Sequence, residues 1–162
     1  MDARQILRTL KANQLNMKAE QSIRINASPT LLWEVLTKPD YTKKYMYNCR
    51  VKTDWEIGSE ITWKGNFRGY NAFQKGEVLE YDPISHLKYT TFDPNYGLED
   101  KPENYIHVGY HVHKSGDESL LTVDNETFDG DDKRLEHIKQ GWETVLKGIK
   151  EVAETVEANS QN

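Results

Sequence analysis

The chain has 162 residues and a formal net charge of -5. Its length suits one domain, its four Trp, nine Tyr and four Phe argue against disorder, and its acidity disfavours nucleic-acid binding. No stretch reaches the ~20 apolar residues of a membrane span and no signal-peptide block follows Met1, so we expect a cytoplasmic protein. The single cysteine, Cys49, excludes an internal disulfide and disfavours a thiolate metal cluster.

The first 16 residues predict a helical extension ahead of the domain. They carry apolar side chains at helical spacing among polar ones, namely Ile6, Leu7, Leu10 and Leu15. From Met17 the pattern changes to alternation, with Ala19, Gln21, Ile23 and Ile25 on one side. The alternation predicts a first strand that ends before Ser28.

Two short helices are predicted after this strand. Ser28 can cap a helix whose first residue is Pro29, because proline tolerates that position and serine accepts a backbone N–H. Pro39 interrupts the helix, and residues 40–46 can form a further turn or two. The sequence therefore indicates a break at Pro39 between two helices.

Six more strands are predicted in succession. They cover Asn48–Thr53, Glu60–Gly65, Phe73–Tyr81, Leu87–Phe92, Tyr105–Lys114 and Leu120–Thr127. Short, turn-rich connections between most of them favour antiparallel pairing, and a sheet of about seven strands curls because of its right-handed twist.

The longest predicted element is a helix over Asp131–Glu157, packed through Trp142, Val145, Ile149 and Val152. Gly141 and Gly148 lie beside its apolar stripe, where a missing side chain permits close approach or leaves space. The fold class is therefore α+β: a curved antiparallel sheet wrapped on a long C-terminal helix, with a hollow between them. We assign residues 17–157 to this domain and residues 158–162 to a polar tail.

Several short motifs in this order resemble one known family. They are Ser28-Pro29 with Trp33, Asp54-Trp55 before Gly58-Ser59, Gly76-Glu77-Val78-Leu79-Glu80 before Pro83, Leu87-Lys88-Tyr89-Thr90, and Gly141-Trp142 before Leu146. Together they resemble the heat-shock-protein ATPase activator homologue family, within the START-related, birch-pollen-allergen-like helix-grip superfamily (SRPBCC). The resemblance covers about residues 17–156.

The resemblance implies a mostly apolar internal cavity, which relatives use for lipids, hormones, polyketides or other hydrophobic ligands, without a cofactor. It also connects the chain with the stress response. Members that stimulate the ninety-kilodalton heat-shock ATPase carry an additional N-terminal domain, whereas this sequence has a short extension, so a chaperone partner stays an alternative without support. The extension and the loop from Tyr96 to Tyr105 could contact a partner chain, including a second copy in a homodimer.

Candidate ligand-binding residues come from strand faces predicted to point toward the helix and from the helix itself. They are Tyr45, Trp63, Val78, Tyr89, Tyr110, Asn125, Trp142 and Leu146. Their alternative interpretation is a packed core. The leading functional hypothesis is noncatalytic binding of a small hydrophobic or amphipathic molecule.

Glu80 is the candidate acid for a second hypothesis, a polyketide-cyclase-like enzyme. If Gly76, Val78 and Glu80 point inward, as the family pattern suggests, a carboxyl group enters an apolar space where its pKa rises. Because Val78 and Leu79 are both apolar, alternation does not decide which face is buried, and a bulge could reconcile both. The alternative is a surface glutamate.

Three histidines share one side of a predicted strand. His107, His111 and His113 have a spacing that could bind Zn or Cu, but they oppose the apolar face of Val108 and Tyr110. We therefore predict no metal site. The standard catalytic signatures are absent from the sequence.

Overall fold

The computed structural model describes residues 2–6 and 15–161. Residues 3–6 are helical, and residues 7–14 of the predicted helical extension lie outside the described residues. Where the description resumes, the carbonyl of Leu15 accepts a hydrogen bond from the amide of Gly130 at 3.2 Å. The last residues of the extension therefore lie against the turn that precedes the final helix.

Seven strands form one antiparallel sheet, as the sequence predicts. They are β1 (Met17–Ile25), β2 (Arg50–Lys52), β3 (Glu60–Phe67), β4 (Tyr70–Asp82), β5 (His86–Thr91), β6 (Ile106–Ser115) and β7 (Glu118–Thr127). Their order is β1-β7-β6-β5-β4-β3-β2. Since β1 pairs with β7 in the sheet, the first and last strands of the chain are neighbours.

The β3–β4 hairpin is longer than predicted. Its turn consists of Arg68 and Gly69, whose φ angles are 53° and 85°. Two consecutive positive φ angles match the twist of flanking strands, so the ladder continues to the pair Phe67 and Tyr70. The hairpin therefore projects beyond the predicted strand ends at Gly65 and Phe73.

Among the described residues from Met17 onward, three α-helices accompany the sheet: α1 (Pro29–Thr37), α2 (Pro39–Tyr45) and α3 (Asp132–Ser160). A short 3₁₀ helix, Pro102–Asn104, lies in the loop before β6. The side chain of Ser28 caps α1 by accepting from the amide of Leu31 at 3.2 Å. The side chain of Asp131 caps α3 by accepting from the amide of Arg134 at 3.0 Å. Helix α3 ends three residues beyond the predicted Glu157, so the start of the predicted polar tail is helical.

The concave face of the sheet and the inner face of α3 form the core. The sheet contributes Ile61, Val78, Leu87, Val108, Leu121 and Val123, and α3 contributes Val145, Leu146, Ile149 and Ala153. Trp142 and Val152, predicted to pack with Val145 and Ile149, are only half-buried. The arrangement is the predicted helix-grip fold. Within the described part of the chain, no helix has the length and apolar character to cross a membrane.

Candidate functional site

A pocket of about 410 Å³ lies between the N-terminal half of α3 and strands β3 to β6. It is lined by Met46, Tyr47, Cys49, Trp63, Phe67, Tyr70, Ala72, Phe73, Gln74, Tyr89, Thr91, Asp93, Ile106, Val108, His137, Ile138, Gly141, Trp142 and Val145. The wall is mostly aromatic and aliphatic, and its volume is within the ~300–1,000 Å³ typical of small-molecule sites. The geometry therefore suits a small, largely apolar ligand.

The pocket exists partly because α3 carries a glycine where it faces the sheet. A Cβ at Gly141 would find no described atom within 4 Å outside its own helix. Two turns further, a Cβ at Gly148 would lie 2.9 Å from the Cβ of Tyr45. The two glycines thus have different roles: Gly141 leaves space and Gly148 permits close approach of α2.

Three of the predicted ligand-binding residues line this pocket. Trp63 and Tyr89 stand on the sheet with ring centroids 5.6 Å apart, and Trp142 faces them from α3. The other five predicted residues are buried but do not line it: Tyr45, Val78, Tyr110, Asn125 and Leu146. The structure therefore brings together an aromatic subset of the predicted set.

Two of the non-lining residues have clear structural contacts. The hydroxyl of Tyr45 donates to the carbonyl of Val35 at 2.8 Å, which ties α2 to α1. The ring of Tyr110 lies 5.7 Å from that of Trp142 in an edge-to-face arrangement. Tyr110 therefore supports the pocket wall from behind, through Trp142.

Asn125 is fully buried, and neither polar atom of its amide has a hydrogen-bond partner among the described residues. It lies opposite Val108, which lines the pocket, so it belongs to the inward face next to the wall. Buried polar groups almost always have a partner, in protein or in ordered water. Asn125 is therefore an exception to this rule among the described residues, on the inward face of β7.

Glu80 lies outside the pocket, and the expectation that it points inward with Gly76 and Val78 is wrong. The register shifts between Val78 and Glu80, where a β-bulge reverses the alternation of side chains. Val78 is buried, whereas the carboxylate of Glu80 is 53% exposed and lies 3.6 Å from His86 Nε2. The geometry provides no apolar space in which this acid could act.

Most of the remaining pocket residues were not predicted from the sequence. Ala72 lies just before the predicted start of β4 and Gln74 lies within the predicted strand. Both share the parity of the buried Val78, and this parity was the available signal. Tyr47, Phe67 and Tyr70 come from a helix end and a hairpin tip, and all three remain exposed at the pocket. No local pattern identifies such residues, because only the three-dimensional curvature of the sheet brings them together.

Two ionisable groups of the pocket wall, Cys49 and Tyr89, are buried. Burial raises the pKa of the Cys49 thiol above its usual value. Burial also raises the pKa of Tyr89, against the effect of the nearby Tyr110 hydroxyl. Asp93, in the loop after β5, accepts a hydrogen bond from the amide of Asn95 at 2.8 Å. The Cys49 thiol and the Tyr89 hydroxyl therefore stay protonated and uncharged at neutral pH.

The histidines of β6 lie on the outer side of the sheet. His111 Nε2 is 3.1 Å from Asp124 Oδ2, and its ring stacks on His86 with centroids 6.0 Å apart. His107 packs against Phe128 instead. Over residues 2–6 and 15–161, no group of three or more metal-ligating side chains is positioned to hold an ion.

The half-buried His107 is expected to make the fold sensitive to acid. Burial, assisted by the charge of Lys88 and opposed by Glu126, lowers its pKa below 6.5. As the pH falls, His107 is therefore protonated in the unfolded chain before it is protonated in the folded protein. The stability that the neutral side chain contributes above pH ~6.5 is lost as the pH falls toward the pKa of the folded state. His107→Gln should lose less stability between pH 7 and pH 5 than the parent, measured by urea unfolding.

His113→Gln provides the control for this prediction. His113 is on the same strand but exposed, so its replacement should leave the pH dependence of unfolding close to that of the parent. A parent protein and a His107→Gln variant with superimposable pH profiles would contradict the prediction.

The fold and the pocket together define a helix-grip protein of the α+β class. Residues 26–154 match the family model described as "Activator of Hsp90 ATPase homolog 1-like protein", and the chain belongs to that family. This confirms the resemblance drawn from the sequence. A comparison with curated proteins gives no significant match.

Solved structures agree with this assignment. The chain is 30% identical to ChR145 from Cytophaga hutchinsonii, covering 90% of this chain and 97% of that one, with a TM-score of 0.71. It is 19% identical to CalU16 from Micromonospora echinospora, covering 82% and 71%, with a TM-score of 0.65. It is 18% identical to the Aha1 dimer from Colwellia psychrerythraea, covering 85% and 96%, with a TM-score of 0.66. The last two likenesses show the fold.

Proposed function

We propose that this protein binds a small hydrophobic or amphipathic molecule, without catalysis, in the pocket between α3 and strands β3 to β6. One observation carries the proposal: a pocket of about 410 Å³, open toward the surface, is lined mostly by aromatic and aliphatic side chains that do not fill it. Apolar surface removed from water stabilises a complex by roughly 25 cal/mol per Å² before binding costs are subtracted. A ligand that covers this wall therefore gains most of its affinity from burial.

The shape of the site favours a flat ligand. Trp63 and Tyr89 on the sheet face Trp142 on the helix, and aromatic rings interact well with a planar molecule through offset stacking or edge contacts. Tyr47 and Tyr70 add exposed aromatic surface at the pocket. We expect an aromatic or polycyclic body of modest size, with room left for one substituent.

The first experiment combines discovery with a direct test. Native mass spectrometry of protein purified from its source would reveal a retained small molecule as an added mass. In parallel, the neutral fluorescent probe N-phenyl-1-naphthylamine is titrated into the recombinant protein. We expect saturable binding with enhanced, blue-shifted emission.

Cys49 supplies an independent readout, because it lines the pocket and its thiol is buried. Its raised pKa keeps the thiol protonated, so labelling by a disulfide reagent should be slow and should accelerate as the pH rises. The bound probe should slow labelling further. Absence of saturable binding, with a labelling rate that the probe does not change, would overturn the proposal.

A homodimer is a separate proposal about assembly. The related Aha1 protein of Colwellia psychrerythraea was solved as a dimer. In this chain Tyr96, in the loop that we expect to contact a partner, is exposed, with Arg134 5.7 Å from its ring centroid. Light scattering over a wide concentration range would detect a dimer, and a constant monomer mass would exclude it.

A further inference from the structure

Three exposed aromatic side chains stand around the opening of the pocket. Tyr47 is 47% exposed, Phe67 39% and Tyr70 54%, and all three line the pocket. Phe67 and Tyr70 form the last pair of the β3–β4 ladder, and the ring of Tyr47 packs edge-to-face against Phe67 with centroids 5.7 Å apart. Large apolar side chains that remain in water together at one place on a surface mark an interaction site.

The backbone holds the ring of Tyr47 in place at a conformational cost. Tyr47 and Asn48 follow α2 with φ angles of 49° and 63°, in the left-handed region that residues other than glycine rarely adopt. Asn48 Nδ2 donates to the carbonyl of Asn66 at 2.7 Å. Gly65 lets this turn approach β3, since a Cβ at that position would collide with the carbonyl of Asn48. The end of α2 is therefore fixed against the hairpin, although Tyr47 stays exposed.

Positive charge lies beside the aromatic rings. A shallow groove between α2 and the hairpin is lined by Lys43, Lys44 and Arg68, and no acidic residue lines it in the described part of the chain. Tyr47 and Phe67 line this groove as well as the pocket. The Arg68 guanidinium lies 5.2 Å from the centroid of the Phe67 ring, so charge and aromatic surface occupy the same place.

The carboxylates of the described residues leave these cations without a salt bridge. Asp40, on the same helix as the two lysines, pairs with Arg50 at 2.6 Å, and this pairing is the main reason why its pKa is lowered. Lys43 and Lys44 act on Asp40 only as weaker, longer-range charges. We call these cations and the exposed rings the mouth patch: Lys43, Lys44 and Arg68 with Tyr47, Phe67 and Tyr70.

The opposite end of the sheet has exposed apolar residues in acidic surroundings. Ile57 is 72% exposed in the turn before β3, and Ile84 is 41% exposed in the turn after β4. Asp54 and Glu56 precede Ile57 in the sequence. Asp82 likewise precedes Ile84. An anionic surface is therefore repelled at this end and attracted by the mouth patch.

We infer that the mouth patch is a docking surface for an anionic lipid bilayer. Lysine and arginine are attracted to anionic headgroups, and tyrosine prefers the membrane interface because its ring is apolar and its hydroxyl is polar. Rings inserted among the headgroups bring the opening of the pocket toward the acyl chains. An apolar molecule then passes between membrane and pocket without crossing water. The inference goes beyond the proposed function and does not require a bound ligand.

Flotation with unilamellar vesicles tests the docking. We expect the protein to float with vesicles of equal parts phosphatidylcholine and phosphatidylglycerol, but not with vesicles of phosphatidylcholine alone. Because the whole chain has a net charge of -5, attraction to an anionic surface has to come from a local patch. Raising the salt from about 0.1 M to about 1 M shortens the Debye length from roughly 10 Å to 3 Å and should release the protein.

Single charge variants assign the attraction to the mouth patch. Arg68→Ser and Lys44→Ser should each weaken binding to the mixed vesicles about fivefold, because each removes one cation from the surface that faces the headgroups. Lys114→Ser is the matched control, since Lys114 is exposed near the turn after β6, at the opposite end of the sheet. Its binding should stay close to that of the parent protein.

A tryptophan reporter tests whether the hairpin tip enters the membrane. Phe67→Trp adds a fluorophore at the mouth patch, and its emission should be quenched when the mixed vesicles contain phosphatidylcholine with brominated acyl chains. Ile84→Trp is the control at the opposite end of the sheet and should show no added quenching. The emission of each variant is compared with that of the parent protein, which has four tryptophans of its own.

The outcomes separate the docking surface from the function of the pocket. Failure to float with the mixed vesicles, as expected if the patch binds an acidic protein instead, would overturn the inference. Equal losses for Arg68→Ser and Lys114→Ser, or added quenching for Ile84→Trp but not for Phe67→Trp, would also overturn it. A protein that does not float but binds N-phenyl-1-naphthylamine would retain the proposed function without the docking surface.

Discussion

Gly141→Leu is expected to weaken ligand binding strongly while it stabilises the fold. The new side chain would extend from α3 into the pocket, where nothing within 4 Å of a Cβ opposes it among the described residues. It would occupy the space of a ligand, and this overlap costs the complex about 1–3 kcal/mol. The dissociation constant should therefore rise by up to roughly 10²-fold. Removing a helical glycine should add about 1 kcal/mol of stability.

The measurements are a titration with N-phenyl-1-naphthylamine and unfolding by urea. Gly141→Ala is the matched control: it should gain a similar helix propensity but keep binding within a few-fold of the parent. Gly148→Ala should behave differently, since its Cβ would lie 2.9 Å from Tyr45 and the contact between α2 and α3 would have to widen. A Gly141→Leu variant that binds the probe as tightly as the parent would contradict the location of the site.

The secondary structure could be predicted because each element has a local cause in the sequence. Ser28 and Pro29 start α1 by capping and by fixed backbone geometry, and α3, which has 29 residues, follows from an apolar stripe at helical spacing. Alternation of apolar and polar residues indicated the seven strands and most of their inward faces. Short connections then left antiparallel order as the simplest topology, and the final helix closed the concave side.

The site was only partly predictable, because it depends on relations between distant elements. Trp63 and Tyr89 follow from alternation within their strands, and Trp142 from the stripe of α3. Gln74 and Gly141 could not be assigned to the pocket from local patterns, because their place in its wall depends on the residues that face them across it. A helical glycine permits close contact or leaves space, and only the folded chain assigns the first role to Gly148 and the second to Gly141.

The misplacement of Glu80 has a specific physical cause. Alternation predicts the face of a side chain only while the ladder is regular, and one extra residue reverses it. Leu79 is the residue inserted between the paired positions Val78 and Glu80. The two consecutive apolar residues were the signal of the bulge, but alternation alone did not show which one faces inward.

The second large effect is expected on the free energy of unfolding when Ile149 is replaced, at the place where α3 packs against the sheet. Ile149 is fully buried on α3 and belongs to the main core. Ile149→Ala should destabilise the fold by about 2–5 kcal/mol, and Ile149→Val by about 0.5–1.5 kcal/mol, because the cavity left behind grows with the deleted volume. Urea unfolding measures both values. Since Ile149 does not line the pocket, the folded fraction of each variant should bind the probe normally.

Trp142→Ala, on the same helix, should reduce probe affinity more and stability less than Ile149→Ala does. Its indole is only half-buried, so the loss of stability should be below the roughly 3–5 kcal/mol of a fully buried tryptophan. The same indole forms a wall of the pocket and contacts Tyr110, so probe affinity should fall more than in any Ile149 variant. Parallel unfolding and binding curves for Trp142→Ala and Ile149→Ala test this separation. If Trp142→Ala lost as much stability as Ile149→Ala and kept its affinity for the probe, the division of α3 into a pocket-lining part and a core-packing part would be wrong.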